Sequence, residues 1–367
     1  MRVSEPNLDH NRPSTRNGRM RTLTAALAAA LLACSSAAAD SPTEYPVAVV
    51  LLRFADTPAP SWGRPRVAAA FREVAQEYLD HSYGRLRIVP DIYGWYSLDA
   101  AGRGACPKDA MRTLGEAALL GEIGAAALAR YRAIMFVADG LHCGDTDGTA
   151  TIGGNPAYVW IFRSPKSSLI GHELAHALGR PHSRSRSCSP QGCIEHEYGD
   201  PYDRAGCGAA TQHFNAAQKE AQGWLGTTGF PAIQVVRTSG TYSIDAYEPP
   251  GRDTSVRALK VPTGARDGFG REVFYYVESR AAAGRGRVLL HRASAGLDKP
   301  LTVTLVDLAP ESILFDPVLD PGQVFSDPEA GLRFRTISSS DAGSVVLVDV
   351  ATDRRAPVST AARQERE

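Results

Sequence analysis

Residues 172–182 read His-Glu-Leu-Ala-His-Ala-Leu-Gly-Arg-Pro-His. His172 and His176 are four positions apart, so on a helix both imidazoles leave one face and reach one metal ion. Glu173, beside the first histidine, places a carboxylate where it can take a proton from water without itself binding the metal. Gly179 lets the chain leave the helix through a left-handed turn, and Pro181 keeps the helix from resuming. The reversed chain then returns His182 as a third ligand. Three imidazoles with an open fourth position suit a catalytic Zn²⁺, so His172, His176 and His182 are the expected metal ligands and Glu173 the expected catalytic base. Leu169, Ile170, Leu174, Ala175, Ala177 and Leu178 predict that this helix is buried, and histidines in a core need partners.

Upstream, Tyr45–Phe54 is a Val/Leu-rich run that predicts a buried strand, and Arg66–Tyr83 has helical periodicity closed by Gly84. Leu86–Leu98 alternates as a second strand, and Lys108–Tyr131 is Ala-rich and helical. Tyr131–Ala138 and Ala157–Phe162 predict two more strands, the second just before Ser164-Pro165, which can cap and start the histidine helix. Such alternation predicts an α/β (α+β) domain with a mixed sheet. Tyr158–Phe162 is a candidate sheet edge for an added peptide strand, or equally a covered core strand. Beyond Trp224-Leu225, short alternating segments between 232 and 350 predict an all-β sandwich of about eight strands. The expected division is a signal peptide with an extra leader over 1–39, a catalytic domain over 40–226, a β-sandwich over 227–353 and a disordered tail over 354–367.

The composition, 43% apolar and 22% charged, is that of a globular chain. Residues 1–39 hold five arginines and two acids, so the remainder carries 35 basic and 38 acidic residues and no basic tract for nucleic acid. Leu23–Ala33 and Ala37-Ala38-Ala39 read as the apolar core and cleavage site of a signal peptide. Secretion, or release into a periplasm, is therefore expected; the alternative is a lipoprotein anchored at Cys34. No run reaches transmembrane length. Cys106, Cys143, Cys188, Cys193 and Cys207 remain after export, an odd set that predicts two disulfides and one thiol without naming the pairs. Asp145-Thr146-Asp147-Gly148 begins like a calcium loop but lacks its later ligands, so a turn is expected and calcium has no further support. His142, His196, His213 and His291 lack metal spacing and read as surface or hydrogen-bonded histidines.

The zinc pattern resembles the metzincin clan of metalloproteases, and within it the chain is most similar to the gametolysin-type peptidases. Tyr83-Gly84-Arg85-Leu86, Gly94-Trp95-Tyr96, Glu197-Tyr198-Gly199-Asp200-Pro201, His213-Phe214-Asn215-Ala216 and Gly223-Trp224-Leu225 carry that likeness across 45–225. The resemblance implies a secreted zinc endopeptidase acting on protein or peptide substrates, cell-wall or surface glycoproteins among them. It also implies a methionine turn beneath the metal, yet Asp203-Arg204-Ala205-Gly206 puts Ala205 at that position. The segment from Asp40 to Tyr45 is too short for a propeptide, so activity on export is expected; Arg103–Pro107 is read as a disulfide segment rather than a cysteine switch. Tyr198 and Tyr202 are candidate donors to the oxyanion. The rival reading is a weak or inactive zinc-binding surface protein acting through its β-domain, and a third keeps the zinc chemistry for a non-peptide amide or ester.

Overall fold

Val47 to Leu52 are buried at every position, and such a run needs a packed layer on each side. The computed structural model supplies both layers; it describes residues 41–104, 106–207, 212–228, 231–249, 254–283, 288–294, 301–311 and 314–351. The expected signal peptide, the Cys34 anchor and the expected tail lie outside the described residues. Strand β1 (Thr43–Phe54) pairs in parallel with β2 (Leu86–Leu98) and β3 (Ala133–Val137). β3 pairs in parallel with β5 (Ala157–Ile161), and β4 (Gly148–Ala150) runs antiparallel to β5 at the edge, giving the order β2-β1-β3-β5-β4. β5 is thus interior, and the candidate edge over Tyr158–Phe162 gives way to β4, whose short sequence carries no strand signal of its own.

Period-two alternation assigns the faces. Val47, Val49, Leu51, Met135 and Val159 pack against α1 (Arg64–His81) and α4 (Ser167–Ala177) through Val67, Phe71, Val74, Ile170 and Leu174. Ala48, Val50, Leu52, Ile134 and Phe136 face α2 (Lys108–Ile123) through Met111 and Leu119. The helix expected to run to Tyr131 stops at Ile123, because Gly124 takes a left-handed φ of 77° before the single turn α3 (Ala125–Leu128).

Downstream, β6 (Ser183–Ser189) and β7 (Gly192–His196) form a hairpin, and α5 (Ala216–Ala221) is capped by the Asn215 side chain. There follow β8 (Ala232–Val235), β9 (Gly240–Asp245), β10 (Val256–Arg266), β11 (Glu272–Ser279), β12 (Val288–Ser294) and β13 (Val303–Val306). The last strands are β14 (Val318–Leu319), β15 (Val324–Asp327), β16 (Leu332–Ser340) and β17 (Gly343–Val350). One sheet has the order β7-β6-β13-β12-β11-β10-β8, with β14 on β12, and the other runs β15-β16-β17-β9. Leu259, Val261, Val277 and Leu290 of the first share a core with Phe334, Val346 and Val348 of the second. The fold is therefore mixed α and β with largely strand sheets. Because β6 pairs in parallel with β13, the segment just after the third histidine is built into the sheet of the C-terminal half. Among the described residues no helix is long and apolar enough to cross a membrane.

A buried charge group lies where β12 meets the loop after β7. His291 Nε2 donates to Asp200 Oδ2 at 2.8 Å, and its Nδ1 lies 3.2 Å from Glu278 Oε1. Glu278 also pairs with Arg280 at 3.0 Å, and Arg280 with Glu248 at 2.9 Å. Burial works against a charged His291, but the Glu278 and Asp200 carboxylates outweigh it and lift its pKa from 6.5 to about 10. Burial likewise opposes an ionised Glu278, yet His291 and Arg280 bring its pKa from 4.5 down to about 2.

Cys106–Cys143 and Cys188–Cys193 are disulfides and Cys207 is a free, exposed thiol, so a chain beginning at residue 40 should titrate about one thiol when denatured without reductant. The charge group predicts the pH profile of stability. His291, raised on folding, contributes fully below about 6.5, and that contribution is lost as pH rises through about 10. Glu278, lowered on folding, contributes fully above about 4.5 and loses its effect as pH falls towards 2. Urea unfolding across pH should therefore show greatest stability between about 4.5 and 6.5, and His291→Gln should lose the alkaline limb; an alkaline limb that persists in that variant would assign it to another group.

Candidate metal centre

Helix α4 begins after Lys166, not at Ser164-Pro165, and has no side-chain cap. Its buried Ile170, Leu174 and Ala175 lock it against the sheet and α1, which leaves His172 and His176 on the other side. It ends with two bonds, Arg180 N–H to Ala175 O at 2.9 Å and Gly179 N–H to His176 O at 2.7 Å, around Gly179 at φ 84°. That pair closes a helix with a left-handed residue, and only glycine takes the conformation without strain. The chain reverses and delivers His182 just before β6, where Ser183 N–H is held by Ala205 O at 3.0 Å.

The structure brings His172, His176 and His182 together, with one ring nitrogen of each within 4.8 Å of the others. Each Nδ1 faces an acceptor on the outside: Arg204 O at 3.3 Å for His172, Arg180 O at 2.6 Å for His176 and Glu197 Oε1 at 2.9 Å for His182. Carbonyl and carboxylate oxygens only accept, so the ring protons sit on Nδ1 and the Nε2 lone pairs point inward. His176 Nε2 and His182 Nε2 are 3.1 Å apart, two lone pairs facing each other with no proton between them. That arrangement is repulsive unless a cation lies among them, and the donor set therefore fits a metal ion. Burial, reinforced by His176 and His182, pushes the His172 pKa down to about 3, and burial also lowers His176, so both stay neutral as metal ligands require. Among the described residues this is the single cluster of three such side chains.

Glu173 is 5% exposed and its Oε2 has no hydrogen-bond partner, while burial pushes its pKa up to about 8. The edge strand β4 presses on it. A Cβ at Gly148 would lie 3.1 Å from Glu173 Oε1 and 3.0 Å from Trp160 O, so a side chain there would have to push one of them aside. The histidines and Glu173 open into a cleft of about 410 Å³ bounded by β4, Ile152, Arg184, Tyr198, Leu301 and Thr302. The Tyr198 ring lies 3.8 Å from that of His182, centre to centre. Of the two candidate tyrosines the structure places Tyr198 in the cleft; Tyr202 instead offers its carbonyl to Arg280 at 2.6 Å.

The turn below His172 holds what the sequence did not reveal. Ala205 is fully buried, and the Arg204 guanidinium donates to Ser168 O at 2.7 Å and Ser167 O at 3.2 Å and pairs with Glu77. Gly171 leaves room for it, since a Cβ there would stand 2.1 Å from Arg204 Nη2. Asp200 accepts from Ser183 Oγ at 2.8 Å, and Asn215 Nδ2 donates to Ser183 Oγ at 3.1 Å and Asp203 Oδ2 at 2.7 Å. No local spacing announces these pairs; of their members only Asp200 and Asn215 fall within the short segments quoted from the sequence. Of the remaining histidines, His213 is buried 2.8 Å from Lys219 Nζ and His291 belongs to the charge group, while His142 and His196 are exposed. Asp147 pairs with Arg163 at 2.9 Å in the turn before β4.

No protein-family model and no curated protein matches the chain. Among solved structures, a chain described as "Structure of a chaperone-substrate complex" is similar at 15% identity and a TM-score of 0.32, over 48% of this chain. The match spans 29% of that chain's own length, and it bears on nothing said of the site.

The outer acceptors carry a testable consequence. Glu197→Ala removes the oxygen that orients His182, so affinity for a divalent metal should fall about tenfold in competition with a chelator. Unchanged affinity would show that His182 needs no such partner.

Proposed function

We propose that the protein is a secreted zinc endopeptidase of the metzincin type, similar to the gametolysin-type peptidases. The observation that carries this reading is the set of three inward Nε2 atoms beside a buried carboxylate that has an unpartnered oxygen. His172, His176 and His182 would hold the ion. Zn²⁺ bound there supplies a Lewis acid that polarises a carbonyl and lowers the pKa of water to around 7.

The chain's own residues do the rest. Glu173, whose burial-raised pKa would fall beside a bound cation and leave it ionised, takes the proton of the attacking water on Oε2 and passes it to the leaving amine. Its buried setting keeps bulk water from competing for that oxygen. β4, paired on one side with β5, offers the main-chain groups of its other side to an extended peptide, which would run beside Glu173. Tyr198, which lines the cleft beside His182, would donate its phenol proton to the developing oxyanion.

The rival, a zinc-binding protein without activity, leaves Glu173 unexplained, because a buried carboxyl oxygen with no partner costs stability. Ala205 at the expected methionine position argues less against catalysis than its size suggests, since the buried Arg204–Glu77 pair braces the same turn. The two sheets with a shared core support a β-sandwich in the C-terminal half, joined to the metal region through β6 and β13. Two disulfides support an oxidising compartment, hence secretion or a periplasm, with the Cys34 anchor as the alternative.

The purified chain should carry about one zinc and digest casein in a chelator-sensitive way. Glu173→Gln should keep the zinc and lose roughly a hundredfold to ten-thousandfold in rate, because it removes the base but no ligand. His182→Ala should instead lower zinc affinity. Casein digestion by Glu173→Gln at the unmodified rate would overturn the mechanism, and zinc lost together with activity would make Glu173 a ligand.

A further inference from the structure

Part of the wall of the metal cleft comes from the C-terminal half of the chain. Leu301 and Thr302 line it together with β4 and the three histidines. β13 pairs in parallel with β6, with Val303 opposite Ser183. Thr302, one residue before Val303, is therefore level with His182, one residue before Ser183. Neighbouring strands lie about 4.8 Å apart, which puts the two residues side by side. Alternation assigns the face. Ser183, Ser185, Val303 and Leu305 are buried, so Thr302 shares the opposite, accessible face with His182 and Arg184. Leu301 and Val303 belong to one core with Ala216, Ala217 and Phe274, and the exposed Thr302 is thus held between two anchored neighbours.

The polarity of the cleft is divided between its sides. β6 lies between β7 and β13. The charges gather towards β7, where Glu197 accepts from His182 Nδ1 at 2.9 Å and Arg184 turns to Glu195 at 3.7 Å. Towards β13, Leu301 and Thr302 bring no charge. Pro181 brings none either; its carbonyl accepts from Gln218 Nε2 at 3.3 Å, on the same helix α5 whose Ala216 and Ala217 share the core of Leu301. On the β4 wall, Ile152 stands next to Gly153, whose N–H donates to His176 O at 2.8 Å. Ile152 is 49% exposed and lines the cleft, so an apolar group laid on it would remove that surface from water.

We propose that Thr302 is a specificity-determining residue: beside His182 it bounds, with Leu301, Pro181 and Ile152, a subsite for an apolar side chain of the peptide near the bond cut. The C-terminal half then takes part in choosing the substrate. The proposal rests on the peptidase reading of the cleft.

The test uses zinc-loaded, full-length Glu173→Gln protein and fluorescein-labelled hexapeptides. The tightest binder among overlapping casein hexapeptides is remade with Leu or Lys at each position in turn. Fluorescence anisotropy should find one position at which Leu binds more tightly than Lys. There the added Thr302→Glu should lower the Leu-to-Lys affinity ratio about fivefold, and the added Thr302→Lys should raise it by a similar factor, while the other positions keep their ratios. Each ratio compares two peptides on one protein, so it does not depend on how much of a variant is folded. A merely structural role for Thr302 would not reverse its effect with the sign of the charge. Absence of peptide binding, unchanged ratios at every position, or a shift in the same direction in both variants overturns the proposal, while casein digestion by the unmodified chain still upholds the peptidase. A ratio that follows the charge at residue 302, in a chain that does not digest casein, keeps the peptide subsite and removes the peptidase reading.

Discussion

Three imidazole lone pairs aimed at one point repel each other, and the surroundings of the site are built to hold them there. Each ring is fixed from behind by a bond from Nδ1, two to main-chain carbonyls and one to Glu197. A main-chain acceptor cannot rotate away, so His172 and His176 are as rigid as the backbone that supplies Arg204 O and Arg180 O. The left-handed turn at Gly179 is part of the same constraint, because it places Arg180 O behind His176 and His182 in front. His182 depends on a side chain that is largely exposed, which makes it the least constrained of the three.

The carbonyl behind His172 comes from a turn that is itself braced from several directions. Arg204 reaches back to the first turn of α4 and to Glu77 on α1, so the helix that carries two of the histidines and the loop that orients one of them are tied by a buried ion pair. Breaking such a pair would leave an unpaired buried charge, and that cost opposes separating the loop from the two helices. On the far side, Asp203 caps the turn at Ala205 N–H and accepts from Asn215, and Ser183 links Asn215 to Asp200. Asp200 ends on His291, a residue of the C-terminal half. The buried charges thus join the metal region to the β-rich half through side chains, while β6 and β13 join them through the main chain.

Much of this was legible in the residues. The helix of His172 and His176, the reversal at Gly179 and the strands β1, β2, β3 and β5 follow from spacing and apolar periodicity, which are local properties of a chain. The odd set of cysteines named two disulfides and one thiol without their pairing, since pairing depends on which strands meet. The β6–β7 hairpin was not legible: Ser183–Ser189 alternates serine with arginine and cysteine, and its buried positions are serines, of which Ser183 is bonded to Asp200, instead of apolar side chains. The edge strand β4 is three residues long, too short for any period.

The sequence by itself determined the three clustered histidines, the glutamate beside them and the alternation that makes sheets and helices, because each is written in residues a few positions apart. Tertiary structure alone decided which carbonyl stands behind each imidazole, that a buried arginine and glutamate brace the turn at Ala205, and that β4 rather than β5 is the free edge. It also decided that His291 is a charged structural residue, since its pKa is set by Glu278 and Asp200, which are distant in the chain and meet it only when the strands pair. Electrostatics and edge status belong to neighbours in space, and no window along the chain contains them.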